Sequence, residues 1–351
     1  MKELKFSMGD IQTAFQPEAG GAWYPRMIVL SNGEWICGFD TNEDGGNGVI
    51  KVVISGDEGA SWSQGILAAS ENGASLANAQ LAQRKDGQIW LAYRVVLRRG
   101  EATDTILRIS SSDDNGRTWQ ILPNGDIALA SSEQFKGVWE PHMGYIGNTF
   151  VVMYANDDLA VVDHGGQQML YMKKWEETGW SKEPIVVANG KESNSRDGMP
   201  VWSRMKDGRY IVVFEATDEN VRYPFVIKYK ISRNGLDWNV PRHSLYLPEK
   251  RMKQGGAPYV ITLSDGRLAA SLQSDDDKAR YGVEACTDKI YIADPKAASW
   301  QYLCDPFPTG DGTQAVWNSL APLSDGSFIA LSSTNYPGPG SRIVWRRIMV
   351  D

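Results

Sequence analysis

The octapeptides SGDEGASW (residues 55–62) and SDDNGRTW (residues 112–119) share the pattern S-x-D-x-G-x-[ST]-W, and SRNGLDW (residues 232–238) is a copy one residue shorter. The pattern predicts a turn whose Asp and Ser side chains hydrogen-bond the loop backbone, while the Trp packs into a sheet. The closing tryptophans belong to a ladder with spacings of 57, 61, 58 and 62 residues: Trp62, Trp119, Trp180, Trp238 and Trp300. We interpret these turns as elements that build the fold.

A second repeat marks hairpin turns. An apolar residue precedes a polar pair ending in Gly, and a further apolar run follows, as in LSNG at 30–33 and LSDG at 323–326. The turn glycines, including a weaker copy at 147, are separated by 54, 60, 61, 58 and 60 residues: Gly33, Gly87, Gly147, Gly208, Gly266 and Gly326. Asn-Gly and Asp-Gly between apolar runs are strong hairpin signals because a tight turn needs positive φ.

Each period contains four short apolar runs, which in the first period are residues 26–30, 35–39, 50–54 and 66–69. Six such periods predict an all-β fold, a six-bladed β-propeller with four-stranded blades. A chain of 351 residues would ordinarily suggest about two domains. The repeat instead predicts a single domain over 1–351, with blades at approximately 20–72, 76–133, 137–190, 197–250, 255–306 and 316–351. The last period has only three runs, so the segment 10–16 is expected to supply its outer strand.

Polar residues are expected to ring one mouth of the propeller. Counting seven residues back from each turn Gly gives Arg26, Gln80, Glu140, Val201, Tyr259 and Ser319. Counting seven residues forward gives Asp40, Arg94, Tyr154, Glu215, Gln273 and Ser333. Both columns lie at strand ends away from the hairpin turns, and therefore at the same mouth. A solvated rim would also be polar, and that alternative stays open.

Two glutamates stand out in these columns as candidate catalytic residues. Glu140 follows Val138-Trp139, and Glu215 follows the apolar run 211–214. A carboxylate in such surroundings costs several kcal/mol unless it is paired or protonated. Two carboxyl groups facing each other across a pocket are what glycosidic cleavage requires. Burial and mutual repulsion are expected to push their pKa values apart, leaving one neutral near pH 7.

Residues suited to binding a sugar accompany the pair. Trp23 and Trp317 precede inner strands and are the favoured stacking platforms, although a single Trp is more often part of a core. The other predicted substrate-binding residues carry groups able to bond hydroxyls: Arg26, Asp40, Gln80, Arg94, Tyr154, Asp157, Gln273 and Asn318. No cofactor is implied, and no ligand spacing indicates a metal site.

Composition excludes several classes of protein. The net charge of −7, from 43 acidic and 36 basic residues without a long Lys/Arg run, argues against nucleic-acid binding. No stretch approaches the roughly 20 apolar residues of a membrane span. No signal peptide is visible at the N-terminus, which fits a cytoplasmic protein or one whose signal has been removed. We interpret the three cysteines as buried thiols: Cys37, Cys286 and Cys304. Separately, we expect the protein to be a monomer.

The S-x-D-x-G-x-[ST]-W turns, known as Asp boxes or BNR repeats, and the roughly 60-residue blades resemble the sialidase superfamily over essentially the whole chain. Sialidases use an arginine triad, a Tyr nucleophile assisted by a Glu, and an Asp acid; Tyr24-Pro25-Arg26 resembles the start of that set, but the later columns lack further arginines.

The contexts Trp139-Glu140-Pro141 and Phe214-Glu215 are similar to the glutamate pair of glycoside hydrolase family 93, the exo-α-1,5-L-arabinanases. That resemblance implies a retaining exo-enzyme that releases arabinobiose from the non-reducing end of linear arabinan. It also implies Glu140 as general acid/base and Glu215 as nucleophile.

Two alternatives remain open at this level. One is an exo-sialidase-like hydrolase of an acidic sugar, which needs three clustered guanidinium groups from Arg26, Arg94 and a loop residue such as Arg196 or Arg280. The other is a non-catalytic propeller that binds carbohydrate or protein, in which both glutamates would be salt-bridged to arginine and ionised.

Overall fold

The computed structural model describes residues 4–43, 45–217, 224–250, 252–310, 312–336, 338 and 340–351. These residues form strands joined by loops, with one short 3₁₀ turn at Val283–Ala285. In those ranges there is no α-helix, and so no helix that could cross a membrane.

The chain begins with two short strands, β1 (Phe6–Met8) and β2 (Gln12–Phe15), and then lays down six antiparallel sheets in order. Blade 1 contains β3 (Ala22–Val29), β4 (Trp35–Thr41), β5 (Val49–Ser55) and β6 (Ile66–Ala69). Blade 2 contains β7 (Ala74–Gln83), β8 (Ile89–Arg99), β9 (Ala102–Ser112), β10 (Gln120–Ile121) and β11 (Ala128–Ser132). Blade 3 contains β12 (Val138–Ile146), β13 (Thr149–Asn156), β14 (Met169–Lys174) and β15 (Ile185–Ala188).

Blade 4 contains β16 (Gly198–Arg204), β17 (Tyr210–Ala216), β18 (Val226–Ser232) and β19 (His243–Tyr246). Blade 5 contains β20 (Gly255–Thr262), β21 (Leu268–Ser274), β22 (Thr287–Ala293) and β23 (Trp300–Cys304). Blade 6 contains β24 (Ala315–Pro322), β25 (Phe328–Thr334) and β26 (Arg342–Val350).

The first strand of each blade lies at the axis, and each of these inner strands contacts the inner strands of both neighbouring blades. The ring is closed by the N-terminus, since β1 and β2 both pair antiparallel with β26. The six-bladed propeller and its closure by an N-terminal strand are therefore confirmed. Closure by two segments covers more of the β26 edge than the single predicted strand would, and a covered edge cannot recruit another chain.

The hydrophobic core lies between the blades. Separate apolar clusters join blades 1 and 2, blades 2 and 3, blades 3 and 4, blades 6 and 1, and the three blades from 4 to 6. Each large aliphatic or aromatic side chain fully buried there contributes about 1.5–3 kcal/mol. The three cysteines are buried free thiols, as predicted.

The Asp-box turns form the predicted hydrogen-bond network. Ser55 Oγ donates to Asp57 Oδ1 and accepts the Gly59 N–H, while the Asp57 carboxylate accepts the N–H and hydroxyl of Ser61. Residues 112–118 repeat these contacts. Glycine is required at Gly59, because its φ is 88° and a Cβ there would lie 2.4 Å from Cζ2 of Trp345. These turns pack the blades and stand apart from the mouth.

Candidate active site at the propeller mouth

At the mouth away from the hairpin turns, all six inner strands contain a β-bulge. One residue in each bulge adopts a left-handed backbone with φ between 45° and 60°: Tyr24, Asn78, Glu140, Met199, Ala257 and Trp317. A left-handed non-glycine residue costs about 1–3 kcal/mol and persists where the surrounding structure enforces it. Because a bulge redirects a side chain, this strained ring aims six residues at the axis.

Proline accompanies the bulges in four of the six blades. It directly follows the left-handed residue at Pro25, Pro141, Pro200 and Pro258. Proline lacks an N–H and cannot complete a ladder, so bulges are among the few strand positions that tolerate it. These X-Pro pairs are a signal in the sequence that could have located the bulges. Counting residues from each turn Gly does not use that signal.

The structure corrects the position of Glu140 within the ring. The blade 3 hairpin pairs Ile146 with Thr149, whereas blade 1 pairs Val29 with Trp35 across a longer turn. Counting back from the turn Gly therefore slips by two residues in blade 3. Glu140 belongs to the bulge ring beside Tyr24, and the true counterpart of Arg26 is His142.

The same short turn displaces Tyr154 from the second column. Ala155 pairs with Trp139, as Asp40 pairs with Trp23 in blade 1, so Ala155 occupies the column position. A shift of one residue turns a strand side chain to the opposite face. Tyr154 is accordingly buried in the apolar cluster between blades 2 and 3, and the structure does not bring it to the mouth.

Two nitrogen donors and two neighbouring glycines accommodate the side chain of Glu215 at the mouth. Its Oε2 accepts the Ala257 N–H at 2.9 Å, and its Oε1 lies 3.4 Å from Nη1 of Arg196. A Cβ on Gly198 or on Gly256 would lie 3.1 Å from one of the two carboxylate oxygens. Two glycines thus open the space for the carboxylate, while the guanidinium and the amide suit its charged form.

Glu140 has the opposite environment. Its Oε2 is buried and has no hydrogen-bond partner among the described residues. Burial raises the pKa of Glu140 from 4.5 to about 7, and the neighbouring Glu215 charge adds to the rise. Arg196, Arg94 and the Met199 backbone oppose it. The two glutamates are therefore close enough to interact, and Glu140 is the one suited to hold a proton near neutral pH.

Arg94 lies near Glu140, and Asp40 lies near Arg94. Burial raises the pKa of Asp40 from 3.8 to about 7, against the lowering effects of Arg94 and of the Asn78 N–H, which donates to Oδ1 at 3.3 Å. Arg94 stacks on the Trp139 ring at 4.9 Å and has a buried Nε without a partner among the described residues. Arg94 thus interacts electrostatically with both Glu140 and Asp40.

An aromatic floor covers the axis. Tyr24, Met199 and Ala257 form a small buried cluster against which Trp23 and Trp317 pack with part of their surfaces exposed. The rings of Tyr24 and Trp317 are 6.3 Å apart. The predicted residue Gln273 fixes this floor, because its Oε1 accepts the Trp317 N–H at 2.9 Å.

Arg26 lies beneath the floor and does not reach the mouth. Its guanidinium is 3.8 Å from the Tyr24 ring centroid, and Nη1 donates to the carbonyl oxygens of Pro25, Trp317 and Asn318. With 2% of its surface exposed, it ties blade 1 to blade 6. The expected direct contact of Arg26 with substrate therefore has no geometric support.

The remaining predicted binding residues are also buried. Gln80 donates to the Leu81 carbonyl, and Asn318 is fully enclosed. Asp157 accepts the N–H of Gly137 and the indole N–H of Trp139, so it positions the Trp next to Glu140.

Gln168 is a site residue that sequence reasoning missed. It is fully buried, and neither atom of its amide has a partner among the described residues. Its Oε1 lies 3.6 Å from the point where a Cβ on Gly198 would stand, and Glu215 Oε1 lies 3.1 Å from the same point. Gln168 occupies the loop between β13 and β14, where no periodicity marks individual residues. The sequence suggested Arg196 only as a possible third arginine of a sialidase-like triad, and it did not predict the contact with Glu215.

The described residues contain no group of three or more His, Cys, Asp or Glu side chains arranged to hold a metal ion. The described site is thus built from carboxyl groups, guanidinium groups, amides and aromatic rings.

The fold is shared with solved glycosidase structures. The α-L-arabinofuranosidase of Fusarium graminearum from glycoside hydrolase family 93, solved with arabinobiose, aligns with a TM-score of 0.72 at 17% identity over 97% of both chains. The α-L-arabinanase of Penicillium chrysogenum, also solved with arabinobiose, gives 0.71 at 18% over 97% of this chain and 98% of that one. The NanB sialidase of Streptococcus pneumoniae gives 0.62 at 12%, covering 96% of this chain and 70% of that chain.

These likenesses confirm the predicted resemblance at the level of the fold. No family model and no curated protein sequence matches the chain.

Proposed function

We propose that this protein is a retaining exo-glycoside hydrolase that cleaves α-1,5-L-arabinan from the non-reducing end and releases arabinobiose. The observation that carries the proposal is the unequal pair of carboxyl groups at the mouth. Glu140 is buried, with its pKa raised to about 7, whereas Glu215 faces Arg196 and an amide donor. Retaining hydrolysis needs one carboxyl group that holds a proton and one that is charged.

The proposed reaction has two steps. Glu140 donates its proton to the glycosidic oxygen as the bond from that oxygen to the anomeric carbon breaks, and a Glu215 oxygen bonds to the same carbon. Ionised Glu140 then removes a proton from water, whose oxygen attacks the anomeric carbon and releases Glu215. The left-handed backbone at Glu140 holds the acid at the mouth throughout.

Arg196 has a part in both steps. Its guanidinium lies against Glu215 and lowers the pKa of Glu140. It therefore offers an ion pair to the proposed nucleophile and limits the rise in the pKa of the proposed acid.

The aromatic floor supports a sugar ligand. Trp23 and Trp317 leave part of their rings exposed beside Glu140 and Glu215, and sugar faces stack on such rings. Arabinobiose is bound in both the arabinofuranosidase and the arabinanase structures described above.

The two alternatives account less well for the site. A sialidase-like arginine triad would need Arg26, whose Nη1 is committed to backbone carbonyls under Tyr24. A binding propeller would ion-pair both glutamates, yet the described residues offer an ion pair to Glu215 and none to Glu140.

The test is product analysis on debranched arabinan. The expected early product is arabinobiose alone, formed with retention, and Glu140→Gln and Glu215→Gln should each lower turnover by orders of magnitude while remaining folded. Release of mixed internal fragments would refute exo-action, and full activity of either variant would refute the assignment. We further predict a carboxyl separation of about 5–5.5 Å in a crystal structure, since larger gaps accompany inversion.

A further inference from the structure

Blade 2 rises higher at the mouth than the other blades. Its second strand, β8, runs for 11 residues, whereas the second strands of the other five blades run for 7 or 8. Arg94 marks the level of the mouth, because it occupies the column position shared with Asp40. Compared with the seven-residue strand β4, the additional residues of the 11-residue strand β8 extend it about 13 Å further, at 3.3–3.4 Å per residue. They form a wall beside the proposed catalytic pair.

A pocket of about 440 Å³ lies against this wall, and it is distinct from the aromatic floor. The residues that line it are Asn47, Gly73, Ser75, Arg94, Val96, Arg98 and Phe135. Its volume falls within the range of small-ligand sites. Arg94 lines this pocket and also interacts electrostatically with Glu140, so the pocket and the site share a residue.

The pocket is cationic on one side. Arg94, Val96 and Arg98 alternate along β8 and therefore share a face. No acidic residue lines the pocket among the described residues, and Arg98 is exposed without an ion pair there. Arg99 points to the opposite face and is paired with Asp104 at 2.8 Å.

The pocket is aromatic on the other side. Phe135 is 50% exposed, and its ring centroid lies 5.3 Å from that of Trp139. Trp139 in turn stacks under Arg94. An exposed ring next to a mouth that already holds stacking residues is suited to a second sugar ring.

We propose that this pocket is a subsite for a sugar residue that bears a carboxylate, a uronic acid within or attached to the glycan. Arg98 binds the carboxylate, Arg94 fixes the side nearer the cleaved bond, and Phe135 stacks on the ring. The inference rests on the proposed function, since it places the uronate next to the bond that Glu140 and Glu215 cleave. It goes further, because arabinan itself is uncharged.

The test compares two probes of equal size on the full-length protein: trigalacturonate and its methyl ester. Wild type should bind the acid about tenfold more tightly than the ester at low salt, because a charge-assisted contact is lost in the ester. Arg98→Gln should reduce the acid to the affinity of the ester. Arg99→Gln is the matched control on the opposite face and should leave the preference intact. Phe135→Ala should weaken both probes alike.

Equal binding of acid and ester by wild type would overturn the proposal, as would an equal loss of preference in Arg98→Gln and Arg99→Gln, which would indicate only diffuse surface charge. Hydrolysis of debranched arabinan is measured on the same samples. Hydrolysis without acid preference would refute this subsite alone. Acid preference that depends on Arg98, without hydrolysis, would refute the proposed reaction alone.

Discussion

Replacing Glu140 by glutamine should stabilise the protein at alkaline pH while abolishing its proposed activity. Burial raises the pKa of this carboxyl group from 4.5 to about 7 in the folded state. The folded protein therefore keeps the proton in a pH range where the unfolded chain has lost it. Glu140 therefore does not lower the free energy of unfolding below about pH 4.5, and it lowers that free energy progressively as the pH rises to about 7.

The size of the effect follows from the pKa difference. A tenfold change in a protonation equilibrium is worth about 1.4 kcal/mol, so a rise from 4.5 to about 7 corresponds to about 3 kcal/mol above pH 7. Glutamine has the same shape and no charge. The variant should exceed wild type by less than about 1 kcal/mol at pH 5, where the folded carboxyl group is still neutral, and by up to about 3 kcal/mol at pH 8.

The assay is urea unfolding of both proteins at pH 5 and at pH 8. Asp40 has a raised pKa as well, but it is present in both proteins and cancels in the difference between them. Glu133→Gln, an exposed position in the same chain, is the control and should change stability equally at both pH values. The reasoning fails if the gap between Glu140→Gln and wild type is the same at pH 5 and pH 8.

Three further predictions concern the surroundings of the pair. Gly198→Ala should reduce kcat at least tenfold with little loss of stability, because its Cβ would stand 3.1 Å from Glu215 Oε1. Arg196→Gln should move the alkaline limb of the pH–rate profile upward, since Arg196 lowers the pKa of Glu140 and its removal lets the acid keep its proton longer. Gln168→Leu should lower kcat more than it raises KM, because the fully buried amide lies near Glu215, the proposed nucleophile.

Each of these has its own control. Gly56→Ala adds a Cβ with nothing within 4 Å and should leave turnover unchanged; a similar loss in both alanine variants would discount the steric argument. If the alkaline limb of the pH–rate profile of Arg196→Gln stays in place or moves to lower pH, the argument that Arg196 lowers the pKa of Glu140 is contradicted. For Gln168→Leu, the urea midpoint should stay near that of wild type, and a parallel fall in stability and kcat would indicate packing alone.

The repeats in the sequence were sufficient to predict the propeller, because turn chemistry is local. Positive φ at Asn-Gly and Asp-Gly turns, and the Ser and Asp side chains that brace the Trp turns, depend on residues a few positions apart. The closing strand was predictable for a similar reason: a blade with three apolar runs leaves an edge that some segment must cover.

The structure brings together some of the predicted site residues at the mouth, and the misplacements of Glu140 and Tyr154 share a cause. A count from the turn Gly works only where hairpins have equal length, and the blade 3 hairpin is shorter. Tyr154 was consequently placed on the wrong face, while Glu140 was selected through a column that it does not occupy. Glu215 kept its correct register because the blade 4 hairpin has the common length.

Other errors concern depth along the axis. Arg26 and Asp157 have the polarity of site residues, and the sequence places them near the mouth. Contacts between blades decide whether a polar side chain reaches the mouth or is buried below it. Arg26 is buried because it donates to the carbonyl oxygens of residues 317 and 318 in blade 6. Such contacts join segments almost 300 residues apart, and no local pattern contains them.

The ring of left-handed residues separates the chemistry of this protein from its folding. Six residues stand in the bulges and belong to none of the five large clusters between blades: Tyr24, Asn78, Glu140, Met199, Ala257 and Trp317. An exchange at one of these six positions would alter the lining of the mouth and leave the inter-blade clusters intact. For protein engineering, the five bulge positions other than Glu140 are places where the lining of the mouth can be varied one blade at a time.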